Sequence, residues 1–94
     1  MTVQTVQTSQ IVVPEIRSNA VYTPEQYENI KQSIAASGIQ FRPLCRYLPD
    51  GRLELIDGLH RLKAWQELGH QDIEVEIEVL DDMQAMTKHL TANH

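Results

Sequence analysis

The apolar residues of this chain change period along its length, and the changes mark its elements. From residue 73 to 79 the alternation is unbroken, with Ile73, Val75, Ile77 and Val79 on one side and Glu74, Glu76 and Glu78 on the other. Four β-branched residues facing three carboxylates predict a strand with one buried and one wet face. Ile11-Val12-Val13 predicts a first strand, closed off by Pro14 and continuing weakly to Ile16, with a polar turn at Arg17-Ser18-Asn19. Helical spacing takes over at Tyr27, Ile30 and Ile34. Thr23, Pro24 and Gln26 supply a cap, a first-turn proline and the partner of a capping box, and Gly38 supplies the stop. Tyr22 and Tyr27 stand at the positions of a hydrophobic staple. Leu44–Leu48 and Leu53–Ile56, joined by Pro49-Asp50-Gly51, predict a hairpin. A second helix follows, with Leu62, Trp65 and Leu68 on one face and Gly69 at its end. Asp81 caps a last helix whose apolar stripe reads Met83, Met86 and Leu90. Residues 1–10, rich in threonine and glutamine, read as a flexible leader to a single domain over residues 11–94.

The junction between the hairpin and the second helix carries the chemistry. Leu53-Glu54-Leu55-Ile56 runs into Asp57-Gly58, and the helix opens with Leu59-His60-Arg61-Leu62-Lys63. A strand that stops at glycine and turns directly into a helix leaves backbone N–H groups without intrahelical acceptors at the positive end of the dipole. That arrangement suits an anion, above all a phosphate. Cations are disfavoured in a first helical turn, and a bound anion would reconcile Arg61 and Lys63 with their position. The alternative is a tight turn whose basic residues point to water.

Asp57-Gly58-Leu59-His60-Arg61, followed by Leu62-Lys63-Ala64, resembles the glycine-x-(His or Arg)-Arg-x-x-Ala box of the ParB N-terminal domain and sulfiredoxin superfamily. The order of elements over residues 11–94 fits the same resemblance. It implies an α+β fold, a mixed sheet of about four strands with three helices. In ParB partition proteins the box holds the phosphates of CTP. In sulfiredoxins it carries the catalytic cysteine and binds ATP, and in the free-serine kinases an Asp-Gly-x-His-Arg box serves a nucleotide phosphate. Carried over residue by residue, Gly58, Leu59, His60, Arg61 and Lys63 would meet the phosphates of CTP or ATP, with Mg²⁺ as a companion ion. The ParB Glu-Asn-x-x-Arg box is matched only at its start by Thr91-Ala92-Asn93-His94, which nominates Asn93 while the glutamate and the arginine are missing. Leu59 stands where sulfiredoxins have their cysteine, so that chemistry is excluded.

The resemblance favours a nucleotide- or phosphate-binding domain of a partition or DNA-associated protein, closing as a homodimer when ligand binds. DNA would be read through a helix-turn-helix portion absent from this chain. A small-molecule kinase is the second reading, with Asp57 as its base or Mg²⁺ ligand; Asp57 as a turn residue bonded to its own backbone is the structural alternative. A ParB-like nuclease ranks third, because no carboxylate cluster stands out.

Charge and cysteine usage narrow the field. A net charge of −5 argues against a general nucleic-acid coat. It leaves room for a local basic pocket, because Arg42, Arg46, Arg61 and Lys63, half of all the basic residues, fall within 22 positions. Cys45 is the single cysteine, in mid-strand, and reads as a buried thiol in a reducing, cytoplasmic setting. No apolar run approaches a membrane span. His89 and His94, five apart, miss the spacing of a helical metal pair and read as solvent-facing.

Overall fold

The computed structural model describes residues 1–15 and 22–92. The expected turn at Arg17-Ser18-Asn19, together with Ile16 and Asn93, lies outside the described residues. Among the described residues, five strands and three longer α-helices follow one another as β1 (Thr2–Gln7), β2 (Ile11–Val12), α1 (Pro24–Ser37), β3 (Leu44–Tyr47), β4 (Leu53–Asp57), α2 (Leu59–Glu67), β5 (Asp72–Ile77) and α3 (Asp82–Ala92), with a 3-10 turn at Thr8–Gln10 between β1 and β2. The strands form one mixed sheet in the order β1-β5-β3-β4-β2. β1/β5 and β3/β4 are antiparallel, whereas β3/β5 and β2/β4 are parallel.

The pleat sends alternate side chains to two different layers. Ile11, Cys45, Leu53, Leu55, Ile73, Val75 and Ile77 form one face, and Leu59 and Leu62 of α2 close over it. Helix α1 packs on α2, and its start is as expected: Thr23 Oγ1 accepts from the Gln26 N–H at 3.1 Å while Gln26 Oε1 accepts from the Thr23 N–H at 2.9 Å. On the opposite face α3 packs against β4. Asp81 and Gln84 form the corresponding capping box of α3.

Helix α3 is held to the sheet by a face other than its apolar stripe. Met83, Met86 and Leu90 are 79%, 49% and 62% exposed, and the buried positions are Ala85 and His89. The small Ala85 lets the helix backbone approach the sheet, and a polar cluster one turn later completes the contact. Arg46 and Glu54 are direct cross-strand partners, with Nε 3.0 Å from Oε1. Arg46 also donates to the Leu80 carbonyl (3.1 Å) and meets Asp82 Oδ1 at 3.0 Å, while His89 Nε2 lies 3.8 Å from Glu54 Oε1. His89, expected to face solvent, is therefore 3% exposed. Arg46 leaves the expected basic pocket for the same reason: Cys45 points into the core, and its neighbour must point the other way.

Three further differences concern the sheet. Thr2–Gln7, expected to be part of a flexible leader, pairs residue for residue with β5 from Thr2↔Ile77 to Gln7↔Asp72, which adds a fifth strand. Its threonines and valines suit a strand, and β5 supplies the ladder partners that a lone segment lacks. The predicted strand Ile73–Val79 ends at Ile77, where the β1 ladder runs out, and Val79 is 97% exposed. Likewise β2 stops at Val12. No helix among the described residues is long and apolar enough to cross a membrane.

Candidate functional site

β4 delivers Asp57 to the end of the sheet, and Gly58 turns the chain into α2. Gly58 is the N-cap, at φ 103° and ψ 30°, and no side chain caps the helix there. This left-handed conformation strongly favours glycine. Space adds a second constraint, because a Cβ on Gly58 would stand 3.0 Å from Pro43 Cα, 3.1 Å from Pro43 Cβ and 3.1 Å from Arg61 Nη2. Pro43 is itself fixed, fully buried, with its carbonyl accepting from the Glu76 N–H of β5 at 2.9 Å.

The first turn of α2 divides its residues among different tasks. Leu59 is buried in the core, so its backbone is what it can offer a ligand. The helical ladder begins with Leu62 N–H donating to the Gly58 carbonyl at 2.9 Å, and the N–H groups ahead of it have no acceptor within the helix. The His60 ring stacks on Tyr22, with centroids 3.8 Å apart and planes 4° from parallel, and meets Tyr27 edge-on at 6.1 Å. The two tyrosines expected to staple the start of α1 thus both contact His60. Arg61 folds back: its Nη1 donates to the Phe41 carbonyl and lies 3.5 Å from that of Arg42, and Nη2 lies 3.7 Å from Asp57 Oδ2. It ties the loop before β3 to the end of β4 from a half-buried position. Lys63 is exposed.

Arg42, expected in a basic pocket, pairs with Glu74 at 3.2 Å. The pair borders a groove of about 200 Å³ lined also by Ile39, Trp65 and Ile73. Trp65, one turn after Arg61, donates from Nε1 to the Asp72 carbonyl at 2.6 Å and stacks on His70. Sequence reasoning grouped Asp57, Gly58, His60 and Arg61, of which Asp57, Gly58 and Arg61 lie against one another while the His60 ring turns instead to Tyr22 and Tyr27. It missed the Phe41–Pro43 loop and Tyr22, although Pro43 as the entry to a strand was a usable sign. Among the described residues no group of three His, Cys, Asp or Glu side chains is placed to hold a metal ion. Cys45 is fully buried, and burial pushes its thiol up to about 12.

Comparison with known proteins gives this geometry a family. A chromosome-partitioning ParB from Caulobacter crescentus, C-terminally truncated and complexed with CTP-γ-S, superposes with a TM-score of 0.83 at 20% identity, covering 99% of this chain and 53% of that one. The chain therefore spans about half the length of that relative. Sulfiredoxin from Arabidopsis thaliana matches with a TM-score of 0.75 at 22% identity, over 96% of this chain and 98% of its own. A mutant free serine kinase in complex with AMP matches at 0.63 and 22%, over 81% of this chain and 30% of that one. A search of curated protein sequences finds no match. The model of the ParB N-terminal domain family covers residues 1–94, and the chain belongs to that family.

Proposed function

We propose that this chain binds a nucleotide through its phosphates at the start of α2, as a ParB-like nucleotide-binding module. The observation that carries the reading is the glycine-capped first turn of α2, with His60 and Arg61 inside it, in a member of the ParB N-terminal domain family. A family relative in complex with CTP-γ-S makes CTP the first ligand to test. Backbone N–H groups of the first turn would take phosphate oxygens, His60 would donate from its ring, and Lys63 would add charge from the rim. Arg61 would act as a double anchor, bonding a phosphate oxygen while holding the Phe41–Pro43 loop in place. Asn93 would join the ligand on the strength of the family resemblance alone, DNA would be contacted through a portion outside this chain, and the setting would be cytoplasmic.

The test is calorimetric titration with CTP, ATP, GTP and UTP, with and without Mg²⁺. Saturable binding of one nucleotide is expected. Loss of a charge-assisted bond worth about 1.5–3 kcal/mol should weaken it roughly ten- to a hundredfold in Arg61→Ala. No affinity at millimolar concentration for any of the four, in protein that retains its fold by circular dichroism, overturns the site.

The kinase reading draws support from the fold shared with the AMP-bound free serine kinase and from Asp57, half exposed beside Arg61. Phosphoserine formed from free serine with ADP or ATP, and abolished in Asp57→Asn, would establish it in place of a binding module.

A further inference from the structure

The start of α1 grips a side chain at the start of α2. Tyr22 precedes the Thr23 N-cap and Tyr27 lies in the second turn of α1, the two positions of a hydrophobic staple. A staple sets the entry angle of its helix, and any pair of apolar side chains serves it. Here both rings meet His60. Tyr22 covers one face of the imidazole, with centroids 3.8 Å apart and planes 4° from parallel, and Tyr27 approaches it edge-on at 6.1 Å. Tyr22 is itself 48% exposed, so burial of its own ring does not account for this contact. Two flat rings at van der Waals separation do.

We propose that Tyr22 is a positioning residue for the phosphate ligand: its ring fixes the His60 imidazole in the orientation from which it donates to a phosphate oxygen. This rests on the nucleotide reading above and extends it to a residue outside the Asp57–Lys63 segment. Helical side chains lean back toward the N-terminus of their helix. The His60 ring is thereby carried toward the first-turn N–H groups that lack helical acceptors. Arg61, about 100° further round α2, is tied on its own side to the Phe41 carbonyl. The two side chains are thus secured from different elements, one by the start of α1 and the other by the loop before β3.

Stacking and phosphate binding do not compete for the same part of the imidazole. Its N–H groups donate in the plane of the ring, whereas Tyr22 lies against the face. A side chain that is free to rotate must be ordered when ligand binds, at a cost in affinity. One already held against a ring escapes that cost. Tyr22 inherits its own position from the Thr23–Gln26 capping box next to it. Because His60 would meet phosphate oxygens, the effect of Tyr22 should not depend on the base that the phosphates carry.

Titration calorimetry with CTP, ATP and inorganic tripolyphosphate reads the outcome. Tyr22→Leu keeps an apolar side chain at the staple position and removes the ring. It should weaken every probe that wild type binds, by the same factor, roughly two- to tenfold as for loss of an aromatic pair. Tyr22→Phe should bind like wild type. In a His60→Ala background Tyr22→Leu should change nothing, because positioning acts only through His60. Ring-current shifts of the His60 protons in ligand-free protein should vanish in Tyr22→Leu and persist in Tyr22→Phe, a signature that general destabilisation does not produce. Unchanged or tighter binding in Tyr22→Leu, a loss that persists without His60, or a loss confined to the nucleotides overturns the proposal. Binding that falls in Arg61→Ala but not in Tyr22→Leu leaves the phosphate site standing and removes Tyr22 from it, whereas a wild type that binds no probe overturns both. Should Tyr22→Leu fail to fold, Tyr22→Met is read against the same outcomes.

Discussion

Substituting Gly58 by alanine separates two costs that usually arrive together. A non-glycine residue at positive φ costs about 1–2 kcal/mol, part of which is returned through lower entropy of the unfolded chain, about 0.4–1 kcal/mol. Gly51 isolates that conformational cost, because it sits at φ 89° with no atom within 4 Å of its would-be Cβ. Gly51→Ala should lose roughly 1 kcal/mol. At Gly58 the new methyl also meets the Pro43 backbone at 3.0 Å. Pro43 cannot yield cheaply, since its carbonyl is bonded to β5 and its ring is buried. Overpacking of this kind adds about 1–3 kcal/mol, so Gly58→Ala should lose roughly 2–4 kcal/mol in total. For a domain of this size that corresponds to a fall in Tm of roughly 10–25 °C. Urea unfolding followed by the fluorescence of Trp65, the single tryptophan, measures both variants on one scale, with unchanged m-values confirming that only stability moved. A Gly58→Ala protein within about 0.5 kcal/mol of Gly51→Ala would refute the close-approach argument.

Two further outcomes follow from buried groups. Arg46→Met strands Glu54 beneath α3 and should cost about 3–5 kcal/mol, whereas Arg46→Met with Glu54→Leu should recover most of it; equal losses in chemical denaturation would show that the pair is not the anchor. Cys45 should resist thiol reagents in the native protein and react only as the chain unfolds. Its native thiol keeps its proton up to about 12 while the unfolded thiol loses it near the ordinary value of 9.0. Between those values the native state binds more protons, so this group makes stability fall as pH rises and level off above 12. Alkaline titration of Cys45→Ala should show a shallower decline than wild type.

Much of the fold was legible because it depends on local chemistry. The Thr23–Gln26 box, the Asp50-Gly51 turn, the helix stop at Gly69 and the alternation at Ile73–Ile77 are each fixed by residues within one or two turns of each other. The glycine at the start of α2 was legible for the same reason: a strand that must become a helix in one residue requires a conformation that glycine adopts at least cost. What only the tertiary structure decided is which partner each ambiguous segment meets. Thr2–Gln7 is a strand because β5 lies beside it, and without that ladder its polar composition resembles a loop. Helix α3 offered an apolar face and an Ala85–His89 face, and the second was buried because Arg46 and Glu54 wait beneath it, eight residues apart in sequence but adjacent across the hairpin. The same placement removed Arg46 from the basic pocket. Arg61 turned from a free cation into a tie to the Phe41 carbonyl, twenty residues away, a bond that no local pattern encodes.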